Sequence, residues 1–145
     1  MIQHQVVEYL LLPDEREPLE KELKRLADQR QVHVIFTTGG TGFSVRDITP
    51  EATIAVCDRM ANGIADAIRN YSMTITPRAM FSRAVSGLRG RTLIVNLRDR
   101  WLKSFVKKKC KGILTISHLI SGFRQQLFSQ RIAFILSFSC CALVT

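Results

Sequence analysis

The sequence predicts an α/β domain built on a largely parallel sheet, and three observations predict it. Strand-like and helix-like stretches alternate from residue 5 to residue 71, the order that βαβ units require. The apolar run at residues 32–38 (VHVIFTT) shows no alternation, as expected of a strand covered on both faces. It stops at Gly39-Gly40-Thr41-Gly42, a glycine loop at a strand's carboxyl end, where open α/β sheets bind their ligands.

Each element has a local reason. Residues 5–12 are rich in β-branched residues and leucine and end at Pro13, which reads as a strand. A helix follows. Asp14 can cap it, Glu17 can complete a capping box, and Leu19, Leu23 and Leu26 recur at helical spacing. Lys24, Arg25 and Arg30 sit where the helix dipole favours cations. After the glycine loop, Thr49-Pro50-Glu51 opens a helix running to Met60, with Thr49 as cap and Pro50 at its first position. Ile54, Val56 and Cys57 begin its apolar face. A further helical stretch covers about residues 64–71, and Pro77–Phe81 reads as one short turn. Residues 82–88 and Thr92–Leu97 read as strands joined by a turn at Gly90.

The chain of 145 residues has the length of one domain, and 46% hydrophobic residues suffice for a core. Its net charge of +9 would suggest nucleic acid or an anionic membrane as partner, but the distribution argues otherwise. Residues 1–97 carry 12 Lys and Arg against 11 Asp and Glu; residues 98–145 carry nine against one, Asp99. The second region has a lysine cluster at 107–111 and apolar stretches at 113–120 and 132–144 that keep no period. The expected organisation is therefore a domain at 1–97 followed by an aberrant basic and apolar tail at 98–145. The stretch 132–144 is shorter than the ~20 residues of a spanning helix, so neither a membrane nor a nucleic acid is the expected partner. Cys57, Cys110, Cys140 and Cys141 form no CxxC pair and have no histidine at ligand spacing. With no signal pattern at the N-terminus, they read as free thiols of a cytoplasmic protein.

The chemistry lies in residues 37–53, TTGGTGFSVRDITPEAT. Gly39, Gly40 and Gly42 let the backbone turn and present N–H groups to an anion, while Thr37, Thr38 and Thr41 add hydroxyls. Arg46 offers a fixed charge for phosphate, and Asp47 an oxygen for a divalent cation. The helix that follows points its positive end at the same place. Structural roles compete with each of these: Asp14 is a credible helix cap, Asp47 can cap or pair with Arg46, and Arg83 taken alone is an ordinary surface charge.

The whole string resembles the signature loop of the Mog/MoaB-type molybdopterin-binding domain family, which includes the molybdopterin adenylyltransferases and the gephyrin G domain. LPDE ending at Glu15, SRAVSG from Ser82 to Gly87, and LIVNL ending at Leu97 resemble further motifs of that family. The resemblance covers about residues 6–97. It implies a three-layer α/β sandwich with a mostly parallel sheet, and a Mg2+- and ATP-dependent adenylylation of molybdopterin in molybdenum cofactor biosynthesis. It assigns catalysis and Mg2+ binding to Asp14 and Asp47, and molybdopterin binding to Thr38, Gly39, Gly40, Thr41, Gly42, Arg46, Ser82 and Arg83. Asn96 and Leu97 would contact the nucleotide, and the family's assembly is a homotrimer. The alternative is a non-catalytic molybdopterin-binding or scaffold relative, or an inactive fragment.

Two departures from the family pattern stand out. The family's first strand and its glycine-rich loop have no counterpart before residue 5, so a domain incomplete at both ends is expected, its sheet short of a central strand. After Leu97 the family continues with Pro-Gly, whereas this chain reads Arg98-Asp99-Arg100. Loss of one base converts codons for Leu-Pro-Gly-Ser into codons for Leu-Arg-Asp-Arg, and a frameshifted tail is expected from that point.

Overall fold

A computed structural model describes residues 3–98 and 129–137. Six strands form one sheet: β1 (Gln3–Leu12), β2 (Val34–Thr38), β3 (Arg59–Met60), β4 (Ser86–Arg89), β5 (Thr92–Leu97) and β6 (Ser129–Ser137). Their order is β1-β6-β2-β5-β4-β3. The first four of that order are mutually parallel, and β4 and β3 add an antiparallel margin. The strands β1, β6, β2 and β5 therefore end at one edge, at Leu12, Ser137, Thr38 and Leu97.

Helices cover both faces. α1 (Arg16–Lys24) and α2 (Thr49–Val56) bury Leu19, Leu23, Ala52 and Val56 against Ile35, Ile94, Ala133 and Ile135. α3 (Asn62–Ile75) lies on the other face, where Ile64 and Ile68 join Val34, Phe36, Leu93, Val95, Ile132 and Phe134. Alternate residues of each central strand thus enter different cores, so neither face of these strands is open to solvent.

The strand β6 occupies the slot where the sequence leads one to expect a missing central partner. It pairs with β1 from Gln3↔Ser129 to Leu12↔Ser137 and with β2 from Val34↔Ile132 to Thr38↔Leu136. Within a stretch that keeps no period, Ile132, Ala133, Phe134 and Ile135 are all buried. A strand covered on both faces has no alternation to keep.

Several expected boundaries move. α1 begins at Arg16, so its cap position is Glu15 rather than Asp14, and no side chain caps it. α2 begins one residue earlier than expected, with Ile48 at the cap position and Thr49 inside the helix. It ends at Val56, not Met60, because Cys57 turns extended and Arg59–Met60 pairs with β4. The buried face of α2 is Thr49, Ala52, Thr53 and Val56; Ile54 points outward and is 51% exposed. Residues 82–85, expected in a strand, form a linker before β4. No helix among the described residues is long and apolar enough to cross a membrane. The lysine cluster at 107–111, Cys110, Cys140, Cys141 and Asp99 lie outside the described residues.

Candidate functional site

The glycine loop leaves β2 at Thr38 and returns to the sheet edge at α2. Gly39 and Gly40 have φ of 93° and 63°, left-handed values that side chains disfavour. At Gly40 a Cβ would lie 2.5 Å from Thr49 Oγ1, and the Gly40 carbonyl accepts the Thr49 N–H at 3.2 Å. The loop is thus sewn to the start of α2. Beyond it, Asp47 Oδ2 accepts the Ser44 N–H at 2.9 Å, and the Asp47 N–H donates to the Ser44 carbonyl at 2.9 Å. Asp47 shapes the loop here; it neither caps α2 nor pairs with Arg46, whose backbone N–H donates to Ser44 Oγ at 3.4 Å.

Two depressions open at this edge. One, about 10 Å³, lies among Leu12, Asp14, Thr37, Thr38, Thr49 and Leu136, at the ends of β1, β6 and β2. The other is an open hollow of about 400 Å³ lined by Phe43, Ser44, Asp47, Glu51 and Arg83. Ile48 lines both. Asp14 and Asp47 therefore line different hollows that share Ile48. No group of three or more His, Cys, Asp or Glu able to hold a metal occurs among the described residues.

Thr38 is 1% exposed, and its Oγ1 has no hydrogen-bond partner among the described residues. A buried hydroxyl left unpaired costs about 1–3 kcal/mol, so its orphaned state beside the glycine loop is a point where a ligand oxygen would be stabilising.

Arg83 is engaged by the protein itself. Its N–H donates to Thr41 O at 2.8 Å and its Nε to Gly42 O at 2.7 Å; the remaining nitrogens donate to Asp47 O and to Glu51 Oε1. Burial opposes ionisation of Glu51, but the Arg83 hydrogen bond, the residue's own backbone N–H and the nearby Arg83 and Arg16 charges outweigh it, holding its carboxyl below the usual range. The neighbouring Ser82 carbonyl accepts Arg69 Nε at 2.9 Å, and Ala84 O accepts a second Arg69 nitrogen at 2.7 Å. Neither Glu51 as a partner of Arg83 nor Arg69 was legible in the sequence, since ion pairs between distant segments leave no local pattern.

Asn96 is 1% exposed and lies inside, not at the mouth. Its Nδ2 donates to Thr37 Oγ1 and Thr53 Oγ1, both at 2.8 Å, and its Oδ1 accepts the Val85 N–H at 3.2 Å. Leu97, 2% exposed, ends β5 opposite Thr38. The structure therefore gathers Thr38, Gly39, Gly40, Thr41, Gly42, Asp47 and Arg83 around one loop, sets Asp14 beside them, and keeps Asn96 beneath.

Comparison with known proteins agrees with the fold. Residues 1–97 match the family model described as a probable molybdopterin binding domain. The molybdopterin adenylyltransferase of Helicobacter pylori is 43% identical over 105 residues, 66% of this chain and 60% of that protein. That of Escherichia coli is 43% identical over 91 residues, 63% of this chain and 47% of that protein. The chain spans about half the length of the curated relatives it matches. Among solved structures, the molybdopterin biosynthesis enzyme MoaB from Thermus thermophilus superposes with a TM-score of 0.65 at 28% identity, covering 88% of this chain and 99% of that one. The Mog protein from Mycobacterium ulcerans gives 0.54 at 45% identity, over 57% of this chain and 53% of that one.

Proposed function

The chain belongs to the family of probable molybdopterin binding domains, and from that premise we propose that it acts in molybdenum cofactor biosynthesis by holding molybdopterin against its glycine loop. In the finer form of the reading, ATP is the second substrate and the reaction is an adenylyl transfer. A phosphate oxygen of molybdopterin attacks the α-phosphorus of ATP, a new P–O bond forms, and the bond to the bridging oxygen breaks as pyrophosphate leaves with its electron pair.

The Thr38 hydroxyl carries this reading, because it is buried, has no hydrogen-bond partner among the described residues and is set beside the glycine loop at the sheet's carboxyl edge. It would donate to a phosphate or pterin oxygen, while the loop's backbone and the start of α2 oppose the ligand's negative charge. Arg46, exposed on the same loop, adds a cation.

Magnesium fits this donor set, since it binds through one or two carboxylates and completes its shell with water and phosphate oxygens. Asp14, which lines a hollow with Thr38, and Asp47, whose Oδ2 also accepts the Ser44 N–H, would supply the carboxylate oxygens. When bound, the ion supplies neutralisation of the charge that builds on the phosphate oxygens. Family membership further supports assembly as a homotrimer and a cytoplasmic place of action.

Titration of the full chain with molybdopterin, followed by MgATP and measurement of pyrophosphate, tests the reading. Binding should weaken roughly tenfold in Thr38→Val, the loss of about one buried hydrogen bond, and turnover should be abolished in Asp14→Asn. Binding without turnover in the unaltered chain identifies a non-catalytic relative. A folded chain that binds no molybdopterin overturns the proposal.

A further inference from the structure

The glycine loop has little packing to hold it in place. Phe43 is 68% and Val45 97% exposed; the Phe43 ring meets Phe81 edge-on with centroids 5.6 Å apart, a surface contact that leaves the middle of the loop outside both cores. Its two ends are nevertheless tied to the same residue. Arg83 donates to the carbonyls of Thr41 and Gly42 at one end and of Asp47 at the other, and its remaining contact, Glu51, belongs to the first turn of α2. Arg83 is itself fixed from behind, because Arg69 on α3 holds the carbonyls of Ser82 and Ala84 on either side of it. A relay runs from α3 through the linker and the Arg83 guanidinium to both ends of the loop and to α2.

We propose that Arg83 is a positioning residue that sets the shape of the glycine loop with its guanidinium committed to Gly42, Asp47 and Glu51, so that it serves ligand binding through the loop rather than by touching the ligand. Arginine is required for a geometric reason. Its planar guanidinium directs donors to three acceptors at once in fixed directions, whereas a lysine ammonium is a point charge on a flexible stem. The two mutual Ser44–Asp47 hydrogen bonds then form across a loop whose ends already stand at the right separation.

This inference rests on the functional reading above only for its effect on affinity; its effect on the loop is read without ligand. Amide hydrogen exchange of the ligand-free full chain is compared for the parent and Arg83→Lys. The Ser44 and Asp47 amides should exchange roughly tenfold faster in the variant, the loss of about one net hydrogen bond's protection, while amides of β2 and β5 stay unchanged. Molybdopterin affinity should fall together with that protection, and in Arg83→Ala millimolar guanidinium should restore both. Unchanged exchange in a folded Arg83→Lys chain overturns the inference. So does weakened binding with unaltered exchange, which would mark Arg83 as a direct ligand contact. If Arg83→Lys does not fold, Glu51→Ala removes one anchor only and is read by the same criteria. Failure of the parent chain to bind molybdopterin sinks the functional reading alone, since the exchange result still decides whether Arg83 positions the loop.

Discussion

Asn96 on β5 and Thr53 on α2 meet across 2.8 Å in the interior, and the same Asn96 nitrogen reaches Thr37 on β2. With Oδ1 accepting the Val85 N–H, one buried amide joins two strands, a helix and the linker that carries Arg83. All its donors and its acceptor are used, which is the condition under which a buried polar group stabilises a core.

Replacing Asn96 by leucine removes the joint but keeps the branching of the side chain. The Val85 N–H loses its partner, and two threonine hydroxyls lose their donor. The expected cost is about 2–4 kcal/mol, one unsatisfied buried donor plus two lost hydrogen bonds, read as a lower urea midpoint with unchanged m-value. A loss under about 1 kcal/mol would show that water replaces the amide.

Gly87 faces Cys57 across the β3–β4 pair. A Cβ there would lie 2.6 Å from Cys57 Sγ, 2.9 Å from its Cβ and 3.0 Å from the Arg59 carbonyl. Gly87→Ala is therefore expected to cost about 1–3 kcal/mol through overpacking. In Cys57→Ala the sulfur clash disappears but the other two remain, so the double variant should recover part of the loss. Strict additivity in the thermodynamic cycle would refute this contact.

Cys57 is expected to be chemically quiet. Burial pushes its thiol up, the Asp58 charge adds to the shift and Arg89 only partly opposes it, leaving the value at about 11. A raised thiol pKa leaves about one part in a thousand as thiolate at pH 8, against roughly a tenth or more for an ordinary cysteine. Peptide mapping after iodoacetamide at pH 8 should find Cys57 modified at least ten times more slowly in the folded chain than in urea. Equal rates would mean that the site opens readily.

The strand β6 should be indispensable to the sheet. Ending the chain at residue 128 removes the partner of both β1 and β2, and with it the burial of Ile132, Phe134 and Ile135. Each such side chain contributes about 1.5–3 kcal/mol, so the total rivals the ~5–15 kcal/mol stability of a whole domain. Ile135→Asp, which buries a charge in the core under α1, should act in the same direction. Circular dichroism should lose its cooperative thermal transition in both; a sharp transition in the shortened chain would show that β1 and β2 can close without β6.

The parts of the site legible from sequence were those whose physics is local. The glycines of the loop, Thr38 before them, Asp47 behind and the Thr49-Pro50 step into α2 lie close together in the chain, and their conformational demands are written in residue type. The misplaced positions were local readings overridden from afar. Thr49 looks like a cap, yet it packs inside α2 and against Gly40. Ile54 looks like a core residue, yet the sheet lies on the opposite side of its helix, and Ala52, Thr53 and Val56 are buried instead. Asp14 and Asp47 line different hollows, a separation that their spacing along the chain does not carry.

The α/β class, the parallel core strands and the loop of the candidate site follow from residue type and local order, because backbone turning, helix starts and continuous apolar runs are properties of neighbouring residues. Tertiary structure alone decided two things. It set residues 129–137 between β1 and β2, more than ninety positions from either partner, and it joined Arg83 to Glu51 and the loop across 32 to 41 positions. Both depend on the net gain from desolvating groups that meet only after the chain has folded, and no residue carries that gain on its own.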